Sequence, residues 1–554
     1  VTNARRREAD LYCIVHWFVE GAWHWCAPPG SRNLHADTPL RAGVDGASVR
    51  NPFFRLTRRQ RWRTVAWRLR RALGAPAPRS PARRPEDAPA HLLLVGVDTL
   101  RADHLGCQGY GRETSPRLDH LVSTGTRFAD VAAPAPWTLP SFTGALTGLM
   151  PGLHGAHLGG DARNMDKQAP GRVRPGVVTL AAHLQAQGYR TAAFYANQFF
   201  AFGLAESFGT HAYHNLPATD MLTMAHDWLR RNADRPCFCF VLVNDPHEPT
   251  TPPWNDLAPF LPAPAPTDAQ LADLARWGGT AWPHLGRAAD AGATDVRAAL
   301  DVKIAIYDAT VRQVDRAIGN LQDALQSCGL ADRTLVSVFS DHGEEFLDHA
   351  TWAARWDHDP RGLRGIGHGQ SHFQELLHVP WLAWGPGVPK GVVVEAPASL
   401  LDLAPTVLDW LGLPPLPPAA LPGDVPPGLA SALVGRSLAA AATHPAPAAT
   451  DAPARLRLAE AIAYGPDLVA VRQGNWKFIA ARDGRPLALF DLAADPAEQH
   501  DAAAAHPDVL ARLTAVVDAW RASGAGACET VQGAEWGDLD GVVRERLRDM
   551  GYSE

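Results

Sequence analysis

Four apolar runs punctuate the chain from residue 91 onward: HLLLVGV before Asp98, TAAFYA before Asn197, CFCFVLV before Asn244 and TLVSVFS before Asp341. Each is too short for a helix and apolar at successive rather than alternate positions, which predicts strands buried on both faces. Between them VTLAAHLQAQG, ending in the C-cap candidate Gly188, and VKIAIYDATVRQVDRAIGNLQDAL carry helical spacing. Strands alternating with helices predict an α/β fold, a mixed but mainly parallel sheet sandwiched by helices. After a Pro/Ala-rich stretch from about residue 413 to Ala454, short strand-like runs alternate with turns and give way to VLARLTAVVDAW. That pattern predicts a small antiparallel sheet with one helix. The organisation is an N-terminal extension (1–90), a large α/β domain (91–440) and a C-terminal subdomain with a tail (441–554).

The extension contains RLTRRQRWRTVAWRLRRALG (Arg55 to Gly74), a predicted basic helix with Trp62, Val65, Leu69 and Leu73 near one face. Such a helix can lie on an anionic membrane surface, and a solvated basic linker is the plainer alternative. Upstream, Arg5 to Arg7 precede LYCIVHWFVEGAWHWC, but His16, Glu20 and His24 interrupt the apolar part and no small-residue cleavage site follows. With no apolar run of ~18 residues, the expected location is cytoplasmic or peripheral to a membrane. A formal net charge of -6 gives no sign of a nucleic-acid partner. The seven cysteines are odd in number and scattered, and Cys237 and Cys239 sit inside a strand-like run. They read as reduced residues without disulfide or zinc-site spacing.

Chemistry enters at the carboxyl ends of the runs. Asp98, then Asn244-Asp245 with His247, then Asp341-His342 all fall there, and ligands of open α/β sheets bind at that edge. Any single aspartate could be a helix cap, but Asp98, Asp341 and His342 together offer the hard oxygens and imidazole that a divalent cation takes. In PAPWTLPSFTGALTGLMPGLHG (Pro134 to Gly155), Thr138 alone reads as a helix cap. Beside a cation its hydroxyl becomes a candidate nucleophile, because coordination lowers its pKa, and a helix N-terminus favours the anionic group under attack.

The stretch VGVDTLRADHLGCQGYGRETSPRLDHL and the Thr138 segment are followed in order by VLVNDPHEPTTPP, YDATVRQVDRAIGNL, SDHGEEF, GHGQSHFQELLHVPWLAWGPG and GNWKFIAARDGRPLALFDLAADPAEQH. Over roughly residues 91 to 520 the chain resembles the sulfatase-like branch of the alkaline phosphatase superfamily. The resemblance implies Asp98 as first metal ligand, completed by Thr138, Asp341 and His342. It implies His247 as a substrate-contacting proton donor to the leaving oxygen. His368 stands where sulfatases carry a lysine facing the anionic oxygens, and Asn197 lies close to another lysine-bearing position.

Sulfatases have Cys or Ser followed by x-Pro-x-Arg, converted to formylglycine, whereas this chain has Thr138 to Phe142. Threonine bears a β-methyl and yields no aldehyde, so formylglycine is not expected. Thr99 replaces a second acidic ligand, and His342 stands where calcium-binding sulfatases have asparagine, which favours Zn or Mn over Ca. Asp245, His247 and His368 offer a possible second ion, with one ion expected over two.

The expected activity is hydrolysis of sulfate- or phosphate-type esters through a covalent Thr138 ester. Phosphoester or phosphonate ester is favoured over sulfate ester, since a threonine ester needs a second attack where formylglycine releases by elimination. Small-molecule, glycan or lipid esters are the substrates implied. Alternatives are a phosphoryl-group transferase and an inactive sulfatase-like binding protein, the latter opposed by the retained ligand set. His349, His358, His372 and His378 are expected mainly at the surface, and Tyr307, Asp308 and Asp315 in packing and capping.

Overall fold

The computed structural model describes residues 91–160, 162–248, 250, 252–262, 294–356, 359–444 and 455–526. The expected basic helix from Arg55 to Gly74, and His358, lie outside them. The four apolar runs form strands at His91–Val97 (β1), Arg190–Tyr195 (β3), Cys237–Val243 (β5) and Thr334–Ser340 (β6). Thr126–Phe128 (β2), Thr210–Tyr213 (β4), Trp381–Trp384 (β7) and Val392–Val394 (β8) complete one eight-stranded sheet in the order β8-β2-β7-β6-β1-β5-β3-β4. β6, β1, β5, β3 and β4 run parallel, whereas β7 is antiparallel to both β6 and β2. β1 lies at the centre, with Leu92 opposite Phe238 on one side and Leu335 on the other.

Every residue of β1, β5 and β6 is buried because helices cover both faces. Successive side chains go to opposite layers: Leu92, Leu94, Phe238 and Phe240 pack with Phe142 of the helix Thr138–Thr147 (α2). Leu93, Val95, Cys239 and Val241 pack with Val311, Val314 and Ile318 of the long helix Thr294–Ser327 (α5). The remaining helices named here are Pro116–Ser123 (α1), Leu180–Ala186 (α3), Ala218–Asn232 (α4), Leu403–Trp410 (α6) and Pro507–Ala522 (α7). Among the described residues no helix is long and apolar enough to cross a membrane. Cys237 and Cys239 are buried in β5, and the Cys237 thiol donates to Asn232 O at 3.2 Å.

The expected antiparallel sheet is formed by Leu456–Ala459 (β9), Leu468–Gln473 (β10), Trp476–Ala481 (β11) and Pro486–Asp491 (β12), paired in sequence order. One face buries Val469, Val471 and Phe478 against Leu513, Val517 and Trp520 of α7. The other adds Ala470, Ile479 and Phe490 to the core beneath the main sheet. Arg457 and Arg472 both reach Asp130, at 2.8 and 2.9 Å, and tie the small sheet to the large one.

Gly96 in β1 shows why the covering helix sits so close. A Cβ there would stand 2.5 Å from Phe142 Cε1, so glycine lets the phenylalanine ring lie against the strand and brings the N-terminus of α2 to the sheet edge.

Candidate metal and nucleophile centre

The strand ends turn sharply at the carboxyl edge. Thr99, directly after Asp98, has φ 57°, an unusual conformation for a β-branched residue. It is held by Tyr307, whose hydroxyl donates to Thr99 O (2.7 Å) and accepts from Arg101 N (2.8 Å). Ser340 Oγ joins the adjacent strand ends, accepting from Leu100 N at 2.9 Å and donating to Val97 O at 2.7 Å. After His342, Gly343 fits where any Cβ would overlap the Glu375 carbonyl. Helix α2 is locked to the same edge by Ser141, whose hydroxyl donates to Asp341 O at 2.7 Å.

These turns bring Asp98, Thr138, Asn197, Asp341 and His342 together, each at most 1% exposed. Thr138 is the first residue of α2, directly after the N-cap residue Trp137. Its Oγ1 lies 3.5 Å from His342 Nε2 and accepts from Asn197 Nδ2 at 3.2 Å. Asn197 Nδ2 also donates to Asp98 Oδ2 at 2.7 Å, while its Oδ1 accepts from Phe199 N at 2.9 Å and so fixes the amide's orientation. Asn197 therefore touches the nucleophile candidate and an acidic group directly, a contact that the expected substrate-facing role did not include.

The donor set fits a divalent cation. His342 Nδ1 donates to Gly343 O at 2.9 Å, which leaves the Nε2 lone pair facing Asp98 Oδ1 at 3.4 Å and Asp341 Oδ2 at 3.3 Å. Three electron-rich atoms thus converge on one point. Asp98 Oδ1 and both Asp341 carboxylate oxygens are buried without a hydrogen-bond partner, an arrangement that costs free energy unless a positive charge satisfies them. Burial pushes Asp98 up, with His247 and Asn197 opposing, and pushes Asp341 well up, with Asp98 adding to the effect and the backbone amides of His342, Asp341 and Thr99 opposing it. Burial and the neighbouring His368 hold His342 far below the usual imidazole range, the neutral state of a ligand.

Two more histidines face this group. The His368 ring lies 4.5 Å from His342 and 4.9 Å from His247, centroid to centroid. His247 Nδ1 donates to Glu248 O, and its buried Nε2 has no partner. Asp245 does not join them: both its oxygens accept from Ala218 N at 2.9 Å, anchoring the first turn of α4. The Asp-Pro-His turn sends the two side chains to different places, so the set expected for a second ion is not assembled as a group of three. Burial pushes Asp245 up to about 6, with the Ala218 amide opposing.

The group beside His368 is instead Glu344, buried, with its two oxygens 3.3 and 3.2 Å from His368 Nδ1. The sequence signal for it was the GEE following Asp341-His342.

A second acidic and imidazole group, Glu345, His349 and Glu375, is of another kind. His349 Nδ1 meets Glu375 Oε1 at 2.7 Å and Nε2 meets Ala497 O at 2.9 Å. With an acceptor on each ring nitrogen, this is a buried imidazolium clamp on the C-terminal subdomain. The expected surface placement of His349 and His372 is corrected here: they are 2% and 0% exposed. Asp315 and Asp308 behave as expected, the former accepting from Leu118 N at the start of α1 and the latter gathering His104, Tyr110 and Arg112. Phe142 fills the position of the sulfatase arginine as a core residue.

Comparison with known proteins agrees with this architecture. The family model described as Sulfatase matches residues 90–413. The chain is similar to arylsulfatase K of Danio rerio, 32% identical over 212 residues, 38% of this chain and 35% of that protein. The chain thus spans about a third of the length of that relative. A sulfatase of Formosa agariphila is 24% identical over 381 residues, covering 58% of this chain and 69% of that protein. The fold matches that of the phosphonate monoester hydrolase of Agrobacterium radiobacter, with a TM-score of 0.56 and 19% identity, over 78% of this chain and 96% of that one. With a family model spanning more than half its length and a mostly parallel sheet carrying the acidic and imidazole group at its carboxyl edge, the chain belongs to the sulfatase family.

Proposed function

We propose that the protein is a metal-dependent hydrolase of sulfate- or phosphate-type esters with Thr138 as nucleophile, and that it prefers phosphoester or phosphonate ester over sulfate ester. The observation that carries this reading is the placement of Thr138 Oγ1 between Asn197 Nδ2 (3.2 Å) and His342 Nε2 (3.5 Å), beside unpartnered Asp98 and Asp341 oxygens. Asp98, Thr138, Asp341 and His342 would hold one ion, with the imidazole favouring Zn or Mn over Ca. The ion supplies charge neutralisation for an anionic ester and lowers the pKa of an oxygen it contacts.

The chain's own groups do the rest. Asn197 orients Thr138 Oγ1 and favours its deprotonated form through a donated hydrogen bond. As the first residue of α2, Thr138 places the ester at a helix N-terminus, where backbone amides favour negative charge. Phosphoryl transfer depends mainly on such positioning and charge stabilisation. His247, fixed by Nδ1–H donation to Glu248 O, offers Nε2 as a base to a water attacking the Thr138 ester; in its protonated form Nε2 gives a proton to the departing oxygen. His368 faces the same space as a second imidazole.

The test is a panel of aryl phosphate, phosphodiester, phosphonate and sulfate esters with intact-mass measurement under a slow substrate. An adduct mapped to Thr138 and its loss in Thr138→Ala support the reading. Turnover that survives Thr138→Ala sinks it.

A further inference from the structure

At the back of the site one lysine side chain stands between the His247 loop and the segment that follows His342. Lys303, on α5, is 3% exposed. It ion-pairs with Glu248, the residue after His247, and lies 5.6 Å from the centre of the Phe346 ring. With Glu248, Glu344 and Phe346 it lines a narrow crevice. Glu344 in turn holds His368 Nδ1 with both oxygens, at 3.2 and 3.3 Å. One side chain from a distant helix thus ion-pairs with the half-buried Glu248 beside His247 and lies next to the buried Glu344 that holds His368.

His368 stands between Gly367 and Gly369, whose φ angles are 88° and 85°, so its backbone restrains it weakly. The orientation of its ring depends on Glu344, and a buried carboxylate keeps its place only when its charge is compensated. With Nδ1 bound to Glu344, Nε2 is the ring nitrogen left for substrate.

We propose that Lys303 and Glu344 are a positioning pair that fixes the tautomer and orientation of His368, and that Lys303 couples this to the His247 loop. This rests on the reading of both histidines as substrate-facing groups. Neither residue touches the reacting atoms, and each acts through a histidine.

The test combines kinetics with histidine-selective ¹⁵N NMR of the full chain. Lys303→Met and the isosteric Glu344→Gln are expected to lower kcat by about ten- to a hundredfold, with Lys303→Arg recovering part of the loss. In a His368→Ala background, Glu344→Gln is expected to add nothing further, as for groups acting through one another. His368, assigned by its loss in His368→Ala, is expected to carry its proton on Nδ1 in the unmodified protein and to lose that preference in Glu344→Gln. Effects of Glu344→Gln and His368→Ala that multiply, or a His368 signal unchanged in Glu344→Gln, overturn the proposal. The NMR arm decides the positioning role even if no ester is turned over, which would defeat only the functional reading. Glu344→Gln also serves if Lys303→Met does not fold.

Discussion

Asn197 donates from one nitrogen to Asp98 at 2.7 Å and to Thr138 at 3.2 Å, so a single amide sets the distance between an acidic ligand candidate and the nucleophile candidate. Replacing it with aspartate keeps the shape, removes both donated bonds and adds a third carboxylate. Asn197→Asp is expected to lower kcat on the order of a hundredfold, the usual loss for one donor to a developing oxyanion, with a smaller change in KM. A loss confined to KM would return Asn197 to a purely substrate-binding role.

Gly96 and Phe142 make a second dependence. Alanine at residue 96 would place its Cβ 2.5 Å from Phe142 Cε1 and 3.3 Å from Phe240 Cζ. Overpacking of this kind costs about 1–3 kcal/mol, and it pushes outward the helix that begins with Thr138. Gly96→Ala is expected to lower both the melting temperature and kcat. Adding Phe142→Leu should restore part of each, and failure to restore kcat would show that strand and helix do not share control of Thr138.

Chelation is expected to abolish activity and lower the melting temperature, because no side-chain donor satisfies the buried Asp98 Oδ1 or either Asp341 oxygen. Saturating an ion at a hundred times its Kd contributes about 2.7 kcal/mol, so the shift is measurable by calorimetry. Zn or Mn should restore the chelated protein better than Ca. His342→Asn should narrow that difference, since the change exchanges imidazole for an oxygen donor suited to calcium. A melting temperature indifferent to chelator and to every added ion would refute the site.

The strands that place this centre were legible because a strand covered on both faces shows as an unbroken apolar run, as in the wholly buried CFCFVLV and TLVSVFS. The polar residue ending each run then falls at the ligand edge, which is why the sequence alone groups Asp98, Asp341 and His342. Adjacency misled at Asp245, because two residues from His247 the chain has already turned and the carboxylate meets α4 instead. Glu344 and Lys303 were missed for a different reason. A lysine on an amphipathic helix and one glutamate of a GEE triplet look like solvated charges, and only the packing of α5 against the loops buries them together. Histidines crowded around the loop-like HATWAARWDHDPRGLRG point to the surface, a signal that carries no information about the C-terminal subdomain packing over His349.

The His349 clamp predicts an alkaline loss of stability. Burial lowers the affinity of His349 for its proton, but Glu375, then Glu345 and Glu498, more than offset this and bring it up to about 9. Burial and the neighbouring Glu375 push Glu345 up to about 8, while burial also pushes Glu375 up. All three shifts retain protons in the folded cluster, and the acceptors on both nitrogens of the ring, Glu375 Oε1 and Ala497 O, place one of them on His349. A folded group that binds its proton more tightly than the unfolded chain stabilises fully below the unfolded pKa, about 6.5 for histidine, and loses that contribution as pH rises through the folded value. Loss of the imidazolium is therefore expected to lower the melting temperature as pH rises between about 6.5 and 9, by an amount equivalent to roughly 1–3 kcal/mol, and the raised Glu345 to add a decline that starts at the ordinary glutamate value of about 4.5 and runs to about 8. Glu375→Gln removes the main partner of the imidazolium, and should lower stability at pH 6.5 while flattening the decline above it. A variant whose decline is as steep as that of the unmodified protein would show that the alkaline transition arises elsewhere.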